Sequence, residues 1–366
     1  MAVSIISEPD NLAALYDIEP FIFDSGNKNK KNFKYLIEVV VDQQTFNFEL
    51  PPYAGNGYGV FSVQDLVESI ELNNDPTNQQ FFEVLHREYI IRAGERYTDS
   101  NGNQVKDKNQ VNRQNLVVNA VRPHNTSFDF TSLEFLTDNP SVTSNYAVVY
   151  RAPGQPALLP FRKTNDRDSI TVVGVTSVNI PQSFNSTVIF DGNQLSGTLG
   201  GVTSYNGQFE DNNGNITKPF LITTPQCIDS RVTPLTLVWL NRYGAYDSFP
   251  FTLKHDISRE ISYETYKKRG YAINENSPYY NETKRGYKKF GINSERIYTL
   301  RSDWIQNDEL AWLSQMFDSP EVFLHDGNGY QSVIVESEEI EEKLGQKLFN
   351  LTVQIRQAQN TITQKI

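Results

Sequence analysis

The chain contains one cysteine, Cys227, among 366 residues. A single thiol builds neither an internal disulfide framework nor a thiolate metal cage. Histidine is also scarce. His86, His124, His255 and His325 stand far apart, and none belongs to a His-Glu-x-x-His or His-x-His pattern. No G-x-S-x-G elbow and no G-x-x-x-x-G-K-[ST] loop occurs. The glycines of GNGYG (55–59) lack the following Lys and Ser/Thr that would cradle a phosphate. DSNGN (99–103) and DNNGN (211–215) open like calcium loops, but Gln110 and Ile222 stand where the bidentate Glu is required. No cofactor, metal or catalytic residue is therefore expected, and no enzyme activity. Paired carboxylates that meet only in space stay open. No apolar run approaches the roughly 20 residues that span a bilayer, so no membrane partner is expected. The opening MAVSIISEPDNLAAL shows no secretory pattern, and a soluble chain made in a reducing cytoplasm is expected. Positive charge is in deficit: 33 Lys and Arg against 44 Asp and Glu give a net charge of −11. Counterion release on DNA offers such a chain little as a whole.

Aromatics are plentiful, at 12% with 22 Phe and 19 Tyr. Set among Asn, Gly and Ser turns, they suit pleated sheets better than helix bundles. The pattern predicts a mainly β protein of two or three β-sandwich or barrel-like modules with two short helices. The expected modules are 1–150, a β extension with a Gly/Asn-rich loop at 151–225, and a C-terminal β module with one helix at 226–366. In 33–50, Phe33, Tyr35, Ile37, Val39 and Val41 alternate onto one face. Asp42-Gln43-Gln44 then turns the chain into a strand bearing Phe46, Phe48 and Leu50. A helix is expected at 62–72, capped by Ser62, with Leu66, Val67 and Ile70 as its stripe. A second is expected in 307–320, with Asn307 as N-cap, Leu310, Leu313, Met316 and Phe317 buried, and Pro320 as the stop. Asp191-Gly192, Asn206-Gly207, Asn213-Gly214 and Asp326-Gly327 read as turns. Residues 191–215 read as a long hairpin or surface loop.

LVWLNRYGAYDSFPF (237–251) is the densest aromatic stretch. Leu235, Leu237 and Trp239 share one strand face. Asn241-Arg-Tyr-Gly244 turns, and Phe249, Phe251 and Leu253 line the return. Pro250 removes a ladder donor and so predicts an edge or bulge. Aromatics and Arg also anchor interfaces, so core and interface readings both stand here. Between Lys254 and Arg301 there are 11 Lys/Arg and 6 Asp/Glu, with tyrosines interleaved. Glu336, Glu338, Glu339, Glu341 and Glu342 make the C-terminal part acidic. This asymmetry reads either as a solvated face or as complementary charge between adjacent copies. The residues expected to meet a neighbour are Trp239, Arg242 and Tyr243, with Lys267, Lys268, Arg269, Lys284, Arg285, Lys288 and Lys289. A strand edge such as 351–356 is expected to extend a sheet into that neighbour.

HREYIIRAGERYTDSNG (86–102), FLTDNP (135–140), CIDSRVTPLTLVWLNRYGAYDSFPF (227–251) and LRSDWIQNDELAWLSQMFDSPEVFLHDG (300–327) form an ordered set. It resembles structural proteins of tailed bacteriophages of Bacteroidota hosts, including crAss-like phages. The shared elements are the I-x-x-G-E-x-Y strand end, the Trp-Leu-Asn-x-x-Gly hairpin and the Trp-Leu…Ser-Pro-x-Val-x-Leu helix–strand unit, spanning about 33 to 358. The resemblance implies a tail or neck component of the virion, assembled in the host cytoplasm as a homo-oligomeric ring. Its partners would be itself and other tail or neck proteins, with possible passage of DNA through the ring. It carries over no catalytic residue. Two alternatives stay open. One is a carbohydrate- or receptor-binding module at a tail tip, with Tyr243, Tyr279 and Tyr280 as an aromatic platform. The other is a glycan-degrading tail enzyme.

Overall fold

A computed structural model describes residues 3–68, 75–84, 86–121, 135–141, 147–163, 169–172, 176–182, 187–195, 204–210, 216–225, 228–268, 271–274, 277–280, 286–336 and 348–359. The protein is mainly β, with two short α-helices. It divides into two units. Unit 1 comprises Met1–Val149, Ala157–Thr223 and Leu240–Asp247; unit 2 comprises Tyr150–Pro156, Thr224–Trp239 and Ser248–Ile366.

Unit 1 holds two pairs of facing sheets. In the first pair, β1 (Ser4–Ser7), β3 (Phe21–Asp24) and β6 (Gly59–Phe61) lie in that order across one sheet. The other sheet runs β2 (Leu12–Ala14), β9 (Gln104–Val118), β8 (His86–Thr98), β4 (Lys34–Val41), β5 (Gln44–Leu50). The alternation expected in β4 is present: Phe33, Tyr35, Ile37, Val39 and Val41 are all buried. They meet Phe21 and Phe23 from the opposite sheet, with Phe21 edge-on to Tyr89 at 6.4 Å. Asp42 and Gln43 make the β4–β5 turn with φ of 48° and 66°, the backbone of a primed two-residue hairpin. The I-x-x-G-E-x-Y motif ends β8. A Cβ on Gly94 would stand 2.0 Å from the Asp107 carbonyl oxygen, at the register shift between Ala93 and Glu95. Glu95, next in the chain, is buried and accepts hydrogen bonds from Ser25 Oγ and, at 2.6 Å, Asn27 Nδ2. The motif is architectural.

In the second pair, β11 (Leu158–Arg162), β14 (Thr187–Asp191) and β7 (Phe81–Glu83) form one sheet. The facing sheet runs β10 (Ala147–Tyr150), β16 (Ile216–Thr223), β15 (Ser204–Glu210), β12 (Ser169–Val172), β13 (Thr176–Asn179). Phe161 and Phe190 pack on Phe209 and Phe220, with centroids 4.6 and 5.7 Å apart. Of the two readings of 191–215, long hairpin or surface loop, the strand part holds for 204–210, though inside a sheet rather than as a surface excursion. Residues 204–210 are a central strand with Tyr205 and Phe209 buried. Asn206-Gly207 is therefore no turn: a Cβ on Gly207 would lie 2.2 Å from the Phe220 ring, so glycine admits the aromatic. Asn213-Gly214 lies outside the described residues. The first helix, α1 (Gln64–Glu68), buries Val67. Ser62 Oγ accepts the Gln64 N–H at 3.3 Å, and the expected continuation to residue 72, with Ile70, lies outside the described residues.

Unit 2 is built on a seven-stranded sheet. Its order is β18 (Tyr246–Phe251), β17 (Leu235–Leu240), β23 (Val322–His325), β24 (Tyr330–Val335), β25 (Leu348–Gln357), β22 (Gly286–Gln306), β19 (Asp256–Lys268). A small separate ribbon pairs β20 (Tyr271–Asn274) with β21 (Ser277–Tyr280). Helix α2 (Asn307–Asp318) covers the core with Leu310, Trp312, Leu313 and Met316. Its cap is Gln306 rather than Asn307, and the Glu309 carboxylate accepts the Gln306 N–H at 2.8 Å. Pro250 does lie in an edge strand, β18. The strand holding 351–356 is β25, which sits between β24 and β22 and offers no free edge. The outer edge at that side belongs to β19.

Candidate assembly interface

The aromatic hairpin has an internal purpose at both ends. All residues of β17 and β18 are buried. In unit 2, Trp239 is 0% exposed and packs on Trp312 at 5.3 Å. In unit 1, the turn is knotted by Asn241. Its Oδ1 accepts the N–H groups of Tyr243 and Ala245 at 3.0 and 3.1 Å, and its Nδ2 donates to the Leu136 carbonyl at 2.8 Å. Gly244 adopts φ of 72°, and a Cβ there would stand 2.6 Å from the Asn119 carbonyl oxygen.

Arg242 grips Asp138 in two places, Nε to Oδ2 at 2.6 Å and Nη2 to Oδ1 at 2.6 Å. Tyr243 donates its O–H to the same carboxylate at 2.5 Å. Burial, reinforced by Asp138, pushes the Tyr243 phenol up to about 12. FLTDNP and WLNRYG, two stretches distant in sequence, thus meet as one lock. Tyr243 is buried, so it forms no aromatic platform, and neither it nor Trp239 faces a partner. Arg242 reaches the surface with its charge already engaged.

The basic segment is placed differently. The β22–β25 ladder reaches outward as far as Ile297↔Arg356. Among the described residues, β22 pairs from Arg296 to Gly286 with β19 alone, so a two-stranded arm runs roughly 35 Å past the sheet. Its two faces follow from the register, because residues opposite each other in an antiparallel ladder share a side.

One face continues the side that, nearer the core, holds Tyr298 and Leu300. Ile257, Arg259, Ile261, Tyr263 and Lys267 lie on it from β19, and Arg296, Lys289 and Tyr287 from β22. Lys289 Nζ stands 3.8 Å over the Tyr263 ring. Ile257 is 59% exposed and Tyr287 72%. The other face carries Glu260, Glu264 and Glu295, with Tyr266, Phe290 and Lys288 further out. Tyr266 meets Phe290 edge to face at 5.7 Å. Arg356 crosses the inner end of this acidic face, 2.7 Å from Glu295 and 3.8 Å from Glu260, and it also pairs with Glu336. Asp256 is held by Arg301 at 2.8 Å, which keeps its carboxyl below the usual range.

Of the basic residues singled out from sequence, Lys267, Lys288 and Lys289 are brought together on the arm. Lys268 ends β19; Arg269, Lys284 and Arg285 lie outside the described residues, as do Cys227, Glu338, Glu339, Glu341 and Glu342. The exposed Ile257, Ile261 and Phe290 were not singled out. The available signal was that neither alternate set in DISREISYETYKK is uniformly apolar, which marks a strand with no buried face.

Elsewhere, unit 1 carries two open grooves of about 280 and 300 Å³ on its five-stranded β2–β9–β8–β4–β5 sheet. Glu49, which lines the first, is engaged by Lys34 at 3.2 Å and Arg96 at 2.7 Å, which line the second. Among the described residues, no group of three His, Cys, Asp or Glu side chains is placed to hold a metal ion, and no helix is long and apolar enough to cross a membrane.

No family model and no curated protein matches the chain. Among solved structures, the SGBP-B protein of the Bacteroides ovatus mixed-linkage glucan utilization locus, in complex with a mixed-linkage heptasaccharide, is similar over 95% of this chain and 76% of that one. The identity is 11% and the TM-score 0.18, a likeness that carries no argument about what this protein binds.

Proposed function

We propose that the protein is a structural subunit of a phage virion, a tail or neck component that acts by self-association into a ring around a channel. The observation that carries this reading is the arm. A lone two-stranded ribbon is marginally stable in water, and this one has no sheet or helix over either face among the described residues. It also presents Ile257, Ile261, Tyr263, Tyr287 and Phe290 to solvent. Long exposed edges with apolar side chains are aggregation sites unless something covers them. A neighbouring copy in a closed ring supplies that cover, and heterologous contacts close when their rotation closes. The subunit performs no turnover in this reading. DNA or protein cargo passes through the ring, and other tail or neck proteins bind its two ends.

Negative-stain imaging of the purified protein at rising concentration tests this. Rings with a central opening are expected. Isolated single particles throughout would refute the reading. Single particles retained by an immobilised host glycan would favour the receptor-binding alternative in its place.

A further inference from the structure

The two faces of the arm differ in charge as well as in position. The face that continues the core side bears Arg259, Lys267, Lys289 and Arg296, set among Ile257, Ile261, Tyr263 and Tyr287. Arg259 and Arg296 lie directly opposite each other, an unfavourable like-charge pair within one copy. The opposite face bears Glu260 and Glu295, again directly opposite, with Glu264 and the nearby Glu336. Arg356 bridges Glu260, Glu295 and Glu336, which leaves that band with four carboxylates to one guanidinium. Lys288 stands at its outer end. The first face is thus basic throughout, the second keeps a net negative charge after Arg356 is counted, and the two are complementary.

We infer that the arms of adjacent copies stack face to face, the basic, apolar-studded face of one lying on the acidic face of the next. The occupant of each face is a second copy of this chain. Charge complementarity supplies the register, since opposite signs meet only when unlike faces meet. Exposed aliphatic and aromatic side chains on the basic face supply the apolar area. The contact joins different surfaces of the two copies, so it repeats around a ring. This inference rests on the self-association proposed above and names its contact.

The test is charge exchange on the full chain. One variant carries Lys267→Glu with Arg296→Glu, and the other carries Glu260→Lys with Glu264→Lys. All four positions are solvent-accessible on the arm, and circular dichroism and the urea midpoint report whether each variant keeps its fold. Each variant alone should self-associate about a hundredfold more weakly than the native chain, because like charges then face each other. Mixed in equal amounts, the two should assemble again, since each now offers the face that the other lacks. Where a reversed variant fails to fold, Lys267→Gln with Arg296→Gln should still weaken association by about tenfold. A native chain that assembles while both variants assemble equally well alone overturns this contact and leaves the ring standing. So does a mixture that stays apart. A native chain that never associates overturns the ring itself.

Discussion

The β17–β18 hairpin and the β19–β22 arm are both rich in aromatic and aliphatic side chains with arginine among them, yet they meet opposite surroundings. In the hairpin, apolar side chains fall at regular alternate positions and have a partner waiting, Trp312 from α2 for Trp239 and Asp138 for Arg242. In the arm, apolar and charged residues are mixed on both faces, and the sheet that would supply a partner ends at Arg356. Aromatic density alone does not distinguish a core from an interface. What distinguishes them is whether one alternate set is apolar throughout, as Leu235, Leu237 and Trp239 are, and whether the sheet continues beside the pair, as β23 does beside β17.

The contrast can be broken at either end. The largest effect is expected from Trp239→Ala, which should lower stability by about 3–5 kcal/mol because a fully buried ring leaves a cavity. An unchanged urea midpoint would remove Trp239 from the core. Next comes Asp138→Ala. It strips the acceptor from the buried Tyr243 hydroxyl and the counter-charge from Arg242, and should cost about 1–3 kcal/mol, read in the same unfolding experiment.

The same lock fixes an alkaline limit. The Tyr243 phenol titrates at about 12 in the folded chain and near its ordinary 10 when unfolded. Its raised value means that its contribution is constant below pH 10 and is lost as pH rises from there toward 12. Tyr243→Phe should flatten that part of the stability profile, and a profile equally steep in the variant would contradict the assignment. The smallest effect on folding belongs to the arm. Tyr287→Ser should leave stability within about 0.5 kcal/mol while reducing association measured by light scattering. A large fall in the urea midpoint would place Tyr287 inside the fold.

Much of the architecture was legible where patterns are local. The β4 face, the Asp99 and Asp326 turns and three of the four expected buried residues of α2, Leu310, Leu313 and Met316, follow from alternation, helical spacing and turn chemistry over a few residues, whereas Phe317 is half-buried. Asp99 accepts the N–H groups of Asn101 and Asn103, as its sequence suggests. What failed was non-local. Residues 204–210 lie within 191–215, whose many glycines and asparagines suggest a hairpin or surface loop, and only the Phe220 ring, opposite in the ladder, explains Gly207. The free edge was expected in 351–356, but sheet order places β22, earlier in the chain, beside β25. Asp138 was unreadable as a partner for Arg242, since the two stand far apart in sequence. The basic residues of the arm were visible as a run, whereas their division between two faces required the ladder register.

Sedimentation velocity of the native chain over a wide concentration range is the most direct test that the outward-facing side chains of the arm serve cohesion between copies. A concentration-dependent shift from single copies to one closed oligomer is expected, weakened by salt because charged faces hold the contact. A single species at the mass of one chain at every concentration and ionic strength would contradict it.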